Sequence, residues 1–316
     1  MPKVALISGV NGQDGSYLAE QLLEKGYEVH GIVQRSAVFD RQNIDHIGGL
    51  ELHYGDLCDY ASLERILSLV KPDEIYNLGA MSHVGISWEI PCYTAQATGV
   101  GVLNLLEAVR MTCPKAKIYQ ASTSEMFSGE EKEAQNEDTP LDPRSPYSAA
   151  KLFAHKMCQI YRRAYGMFIC CGILFNHESE RRGKNFVTRK ITIGIADILK
   201  GKQDKIHLGN IDAQRDWGYA PNYTEAMWLM LQQDKPDDYV IATGEIHSIK
   251  DFLEEAFKLV KLDWKDYVVI DEKYFRPSET EHLCGDSSKA KRILGWEPKT
   301  KFKDLVKIMV QSDLKN

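Results

Sequence analysis

No apolar run in the 316 residues approaches the roughly 20 positions of a membrane-spanning helix. The opening Met1-Pro2-Lys3-Val4 passes straight into a strand pattern with no signal-peptide pattern, so a soluble, cytoplasmic chain is expected. Cysteine lacks any spacing typical of zinc. The seven, Cys58, Cys92, Cys113, Cys158, Cys170, Cys171 and Cys284, are odd in number, which suits a reducing compartment, and most read as small core hydrophobes. Cys170-Cys171 falls inside the apolar run 167–174 and reads as a buried strand, its neighbouring side chains on opposite faces, rather than as a redox switch. There is no basic tract, and a net charge of −6 argues against nucleic acid as a partner, although a few placed arginines can still hold an anionic ligand. Internal repeats and low-complexity linkers are absent too, and the acidic stretch 130–138 reads as a solvated loop. A chain of this length has room for one large or two interlocked domains.

What is present begins at the amino terminus. Val4-Ala5-Leu6-Ile7-Ser8-Gly9 is a buried-strand pattern, Gly9-Val10-Asn11-Gly12-Gln13-Asp14-Gly15 is a turn, and 16–25 is an amphipathic helical stretch. Glycines at that junction permit a tight turn and let a pyrophosphate approach the N–H groups of the helix start. The spacing is Gly-x-x-Gly-x-x-Gly, and its place between a strand and a helix points to dinucleotide binding. The second strand, 28–33, ends in Gln34-Arg35-Ser36, where an NAD enzyme carries an acid for the ribose 2′-hydroxyl. Arg35 fits a 2′-phosphate instead and favours NADP; the plain alternative is a solvated arginine.

Further strands are expected at 52–54, 74–78 and 116–122, alternating with helices. This rhythm predicts an α/β fold with a doubly wound parallel sheet of Rossmann type, whose ligands gather beyond the carboxyl ends of the strands. Asp56-Leu57, Leu78-Gly79-Ala80-Met81-Ser82 and Ser122-Thr123-Ser124-Glu125 sit at such ends. After Leu174 come a polar loop, Asn176 to Gly183, a helix over 186–201, a short strand at 206–208, a helix over 222–233 and a strand at 239–242 that interleaves a second domain with the first.

Tyr147 and Lys151, four residues apart, lie on one face of a helix expected to begin near Pro146 with Ser145 as its cap. A nearby ammonium favours phenolate, so Tyr147 is expected to be a base near neutral pH. Such pairs are common on helices, and their context gives this one weight. Glu125 adds a carboxylate able to take a proton from carbon, which implies elimination after oxidation. A 4-epimerase or 4-reductase would share everything but that need, and a non-catalytic NADP-binding regulator would need neither Tyr147 nor Lys151.

The strings Gly12-Gln13-Asp14-Gly15-Ser16-Tyr17-Leu18-Ala19-Glu20, Asn77-Leu78-Gly79-Ala80-Met81-Ser82-His83-Val84, Leu174-Phe175-Asn176-His177-Glu178-Ser179 and Phe186-Val187-Thr188-Arg189-Lys190-Ile191-Thr192 resemble the GDP-mannose 4,6-dehydratase family, within the extended short-chain dehydrogenases. Arg276-Pro277-Ser278-Glu279 and Leu294-Gly295-Trp296 extend the similarity over nearly the whole chain. The resemblance implies C4 oxidation by Tyr147, assisted by Lys151 and Thr123, then C5 deprotonation by Glu125 with Ser124 nearby, loss of water from C6 and return of the hydride. Tyr93, His177 and Arg182 would be further cofactor contacts, and Lys151 would hold the nicotinamide ribose. Asn176, Lys190, Arg215, Arg276 and Glu279 would contact the GDP-sugar. No metal is expected. The implied division is an NADP-binding domain over 1–175, with 216–245 returning to it, and a smaller α/β nucleotide-sugar domain mainly over 176–316, in a homodimer or homotetramer. Gln34 and the loop 38–42 depart from the family pattern where relatives reach a neighbouring subunit's cofactor, which leaves the tetramer open against the dimer; the shorter stretches 48–50 and 262–272, Phe127-Ser128 and Thr280 depart elsewhere, and departures bordering the sugar leave GDP-mannoheptose and GDP-N-acetylglucosamine open as substrates beside GDP-mannose.

Overall fold

A computed structural model describes residues 1–36, 41–131, 133–275, 278 and 282–315. Six strands follow in chain order: β1 Val4–Ser8, β2 Glu28–Val33, β3 Leu50–Tyr54, β4 Glu74–Asn77, β5 Lys117–Thr123 and β6 Ile169–Leu174. With β7 Asn176–Glu178, β8 Ile206–Leu208 and β9 Gln214–Tyr219 between, a seventh strand, β10 Asp238–Ile241, joins them in the order β10-β6-β5-β4-β1-β2-β3, every pair parallel. This is the expected doubly wound sheet. Both faces are covered, so its strands are nearly continuous apolar runs. Cys170 packs on one face with Leu18 and Met227, Cys171 on the other with Val102 and Ile118, and all seven cysteines are free.

The order reverses between β4 and β1, and there the turns after the two strands touch. Gly9 holds φ of +68°, and a Cβ on it would lie 3.1 Å from Cα of Gly79. Side chains are excluded from that contact, which keeps the crevice beyond the strand ends open. Helix α1, Gln13–Glu24, starts directly from this turn, three residues before the expected Ser16.

The smaller lobe is built on β9. It pairs with β11 Ile246–Ser248, with β13 His282–Leu283 and with β7, while β8 pairs separately with β12 Val268–Ile270. Trp217 of β9 stacks on Phe302 and meets Phe252 edge-on, which centres a core closed by helices Val187–Leu199, Ile249–Leu259 and Phe302–Lys315. Two details differ from the sequence reading. The supposed loop at Asn176 opens with the strand β7, because His177 and Glu178 find Gly218 and Tyr219 as partners. The chain returns to the large sheet through helix Ala220–Leu231 and β10, since β9 as far as Tyr219 stays with the smaller one. Among the described residues, no helix is long and apolar enough to cross a membrane.

Candidate active site

A cleft of about 590 Å³ opens beyond the carboxyl ends of β1, β4, β5 and β6, with the smaller lobe as its other wall. Its floor is set by local geometry. Thr123 ends β5 and caps a 3-10 turn, Ser124–Met126, by accepting a hydrogen bond from the Glu125 amide at 3.2 Å. That turn carries Ser124 and Glu125 into the cleft. Opposite, helix Pro146–Tyr165 begins with a reciprocal box: Ser145 Oγ accepts from Ser148 N at 3.1 Å, and Ser148 Oγ accepts from Ser145 N at 2.9 Å. The fixed start aims Tyr147 and Lys151, one turn apart, at the same space.

Lys151 donates to the Ala121 carbonyl at 2.7 Å, and its Nζ lies 5.9 Å from the Tyr147 ring centre. The expected lowering of the phenol's pKa is not found. Burial pushes Tyr147 up to about 12, with the Glu125 carboxylate adding to the rise and a hydrogen bond from Thr123 and the Arg182 charge opposing it. Burial lowers Lys151 to about 8 for the same reason, since a low-dielectric site disfavours both charged forms. The ammonium spends its short contact on a backbone carbonyl rather than on the phenol.

Glu125 Oε1 lies 4.0 Å from Nη2 of Arg215, which β9 brings across from the smaller lobe. Both side chains are buried. The next residue, Asp216, anchors that strand by accepting from Thr243 N at 2.9 Å, Thr243 Oγ1 at 2.6 Å and Gly244 N at 2.8 Å. Lys190 also faces the cleft, with Nζ 3.7 Å over the Tyr274 ring. Tyr274 was missed by sequence reasoning; its signal was an aromatic pair, Tyr274-Phe275, directly before Arg276. Arg276 and Glu279 lie outside the described residues. Asn176 lines the cleft between the lobes.

At the glycine turn, Gly12 starts α1 in extended conformation with no side-chain cap, leaving N–H groups of the first turn for a ligand. A Cβ on Gly15 would lie 2.4 Å from the Gly9 carbonyl oxygen, so only glycine lets the helix approach the turn. The Asn11 carbonyl accepts from Asn43 at 3.2 Å. Asp14 and His177 line the cleft but pair with one another, Nε2 to Oδ2 at 2.7 Å, while Nδ1 meets the Phe175 carbonyl at 2.7 Å. Burial works against both charges, yet their mutual attraction raises His177 and lowers Asp14. Arg182 pairs with Glu178 at 3.1 Å and lies 3.7 Å over Phe186. Leu78, Ala80 and Ser82 line the cleft after β4, Gly79 is pressed against Gly9, and Leu57 packs under this floor. At the end of β2, Gln34 donates to Asp56 at 2.9 Å and the exposed Arg35 folds back on the Ser36 carbonyl. Tyr93 does not join the others: it is exposed on the short helix Pro91–Thr94 and stays off the cleft wall.

Residues 6–309 match the family model described as GDP-mannose 4,6 dehydratase. The chain is 56% identical over 325 residues to GDP-mannose 4,6 dehydratase 1 of Arabidopsis thaliana, covering 99% of this chain and 90% of that protein. It is 51% identical over 340 residues to the GDP-mannose 4,6 dehydratase of Homo sapiens, covering 98% and 91%. Among solved structures, the dTDP-glucose 4,6-dehydratase DesIV of Streptomyces venezuelae, with NAD and TYD bound, shares the fold at a TM-score of 0.87 and 23% identity, over 99% of this chain and 97% of that one.

Proposed function

The chain belongs to the GDP-mannose 4,6-dehydratase family, and from that membership we propose that it dehydrates a GDP-hexose, GDP-mannose first, to the 4-keto-6-deoxy sugar with NADP as a cofactor that leaves as it arrived. The observation that carries this reading is the Glu125 carboxylate in one cleft with Tyr147 and Lys151. Hydride transfer needs a phenol and an ammonium; a carboxylate beside them is needed when a proton must leave carbon.

The residues fit a dinucleotide. Gly9, Gly12 and Gly15 line a turn that excludes side chains, the uncapped start of α1 offers N–H donors to a pyrophosphate, and Arg35 occupies the position where an acid would select NAD. When bound, the nicotinamide supplies the hydride acceptor at C4 and the hydride donor at C6. Everything else falls to the chain. Tyr147 takes the C4 hydroxyl proton, with the Thr123 hydrogen bond and the Arg182 charge opposing the rise that burial imposes on its phenol. Glu125 then takes the C5 proton, made acidic by the adjacent ketone, and passes a proton to the departing C6 hydroxyl, with Ser124 positioned by the same turn; C5 takes up one proton from solvent as the hydride returns to C6, and Tyr147 releases the one it took. Lys190 and Arg215 hold the diphosphate and sugar by charge-assisted hydrogen bonds, and Asn176 adds a neutral contact.

Incubation with GDP-, dTDP- and UDP-sugars, read by product mass, tests the reading. Loss of one water from GDP-mannose, with deuterium moving from C4 to C6 and no net NADPH, is expected. An unchanged mass means epimerisation, and stoichiometric NADPH means net oxidation; either result overturns the proposal.

A further inference from the structure

At the edge of the large sheet, away from the cleft, β2 and β3 bring together three side chains that the dehydration does not use. His30 and Glu51 are register partners and His53 lies two residues further along β3, so all three leave the same face of the sheet. Their ligand atoms lie within 4.8 Å of one another. His30 Nδ1 is 3.0 Å from His53 Nε2, and the two Glu51 oxygens lie 3.7 Å from His30 Nδ1 and 3.9 Å from His53 Nε2. Ligands bound to zinc at about 2.0–2.1 Å in a tetrahedron stand roughly 3.3 Å apart. The two nitrogens stand within about 0.3 Å of that spacing, and rotation of the exposed Glu51 side chain is what brings one of its oxygens onto the same ion.

A second observation orients the ring. His30 Nε2 is 3.0 Å from Oε1 of Glu28, and a carboxylate accepts, so Nε2–H is the donor there and Nδ1, which faces His53 and Glu51, is the nitrogen left to meet a cation. A carboxylate behind a ligating histidine is the arrangement that orients the ring and raises its basicity in metal sites. The histidines are 5% and 8% exposed, while Glu51 keeps the site in contact with solvent. Glu28 and Glu51 supply two negative charges against Arg65, the cation whose charge reaches His53.

We infer that His30, Glu51 and His53 form a three-ligand site for one zinc-like divalent cation, oriented by Glu28 and open to solvent at the fourth position. The ion would clip the edge strand β3 to β2, just before the strand ends that Gln34 and Asp56 join.

Calorimetric titration of untagged, chelator-stripped protein with Zn²⁺ tests this. One equivalent is expected to bind and to raise the melting temperature, and Co²⁺ in its place is expected to show the visible absorption of a tetrahedral N/O site. Affinity should fall by about 10- to 100-fold in Glu28→Gln and by a larger factor in His53→Gln. Glu51→Gln, a change on an exposed side chain, should show the same larger loss and serves should His53→Gln not fold. No stoichiometric Zn²⁺ site in the wild type, or an affinity unchanged in both ligand variants, overturns the inference.

Discussion

Removing either partner of the Asp14–His177 pair should cost unequal amounts of stability, because only one of the two can shed its charge cheaply near neutral pH. Both ring nitrogens of His177 face acceptors, Asp14 Oδ2 at 2.7 Å and the Phe175 carbonyl at 2.7 Å, so the site favours the imidazolium form of the ring. In His177→Asn, the half-buried Asp14 carboxylate at the cleft wall keeps the Gln13 amide, at 2.9 Å, as a side-chain donor. Breaking a fully buried pair costs about 3–5 kcal/mol, and the exposure of this carboxylate to the cleft puts the loss near the lower end of that range. In Asp14→Asn, the ring becomes neutral: Nδ1–H stays on the Phe175 carbonyl and Nε2 accepts from the new amide. What is lost is the charged character of one hydrogen bond, roughly 1.5–3 kcal/mol. Denaturant unfolding of the whole chain across pH reads both values. His177, raised above its ordinary 6.5, contributes stability that is full below 6.5 and is lost as pH rises through its folded value. Asp14, lowered from 3.8, contributes stability that is present above 3.8 and lost as pH falls through its folded value. The wild-type advantage over Asp14→Asn should therefore peak between the two folded values and shrink on the alkaline side. Equal losses, a larger loss in Asp14→Asn, or a difference independent of pH would refute the reasoning.

Two further outcomes concern the chemistry. Glu125→Gln keeps the shape of the side chain and an acceptor for Arg215 but cannot take a proton, so dehydration should fall by about 10²–10⁴-fold with substrate binding retained; calorimetry and product mass measure the two, and near wild-type water loss removes Glu125 from the mechanism. Arg35→Ala should weaken NADP by roughly 1.5–3 kcal/mol and NAD much less, and equal weakening in a binding assay would show that Arg35 does not meet the 2′-phosphate.

The elements legible in the sequence are those coded locally. The strand, glycine turn and helix at the amino terminus, the Ser145-Pro146 helix start and the opposite facing of Cys170 and Cys171 each depend on residues within one turn or one strand. What escaped depends on distant partners. β7 is three polar residues long and is a strand because β9, some 40 positions later, lies beside it. The Asp14–His177 pair joins residues 163 apart, and the raised Tyr147 phenol reflects a burial that spacing cannot report. The His30, Glu51 and His53 cluster has no ligand spacing along the chain, because strand register rather than sequence makes its atoms neighbours.

Those long-range contacts divide the labour of the cleft. Tyr147, Lys151 and Glu125 come from β5 and the helix packed against it, so the groups that would move protons belong to the large lobe and keep their spacing whatever the smaller lobe does. Arg215 and Lys190 come from the smaller lobe, and their reach toward the same space depends on how the lobes are joined. The contacts that make that joint at the mouth of the glycine turn include Asp14 to His177, Gln13 to the His177 carbonyl at 3.1 Å, Ser179 to Gln13 at 2.9 Å and Arg181 to Ser16 at 3.1 Å. The first turn of α1 thus meets the proposed dinucleotide through its N–H groups and the smaller lobe through its side chains. Ordering one end of that turn favours order at the other, so the geometry that sets Arg215 against Glu125 is tied to the place where the cofactor would bind.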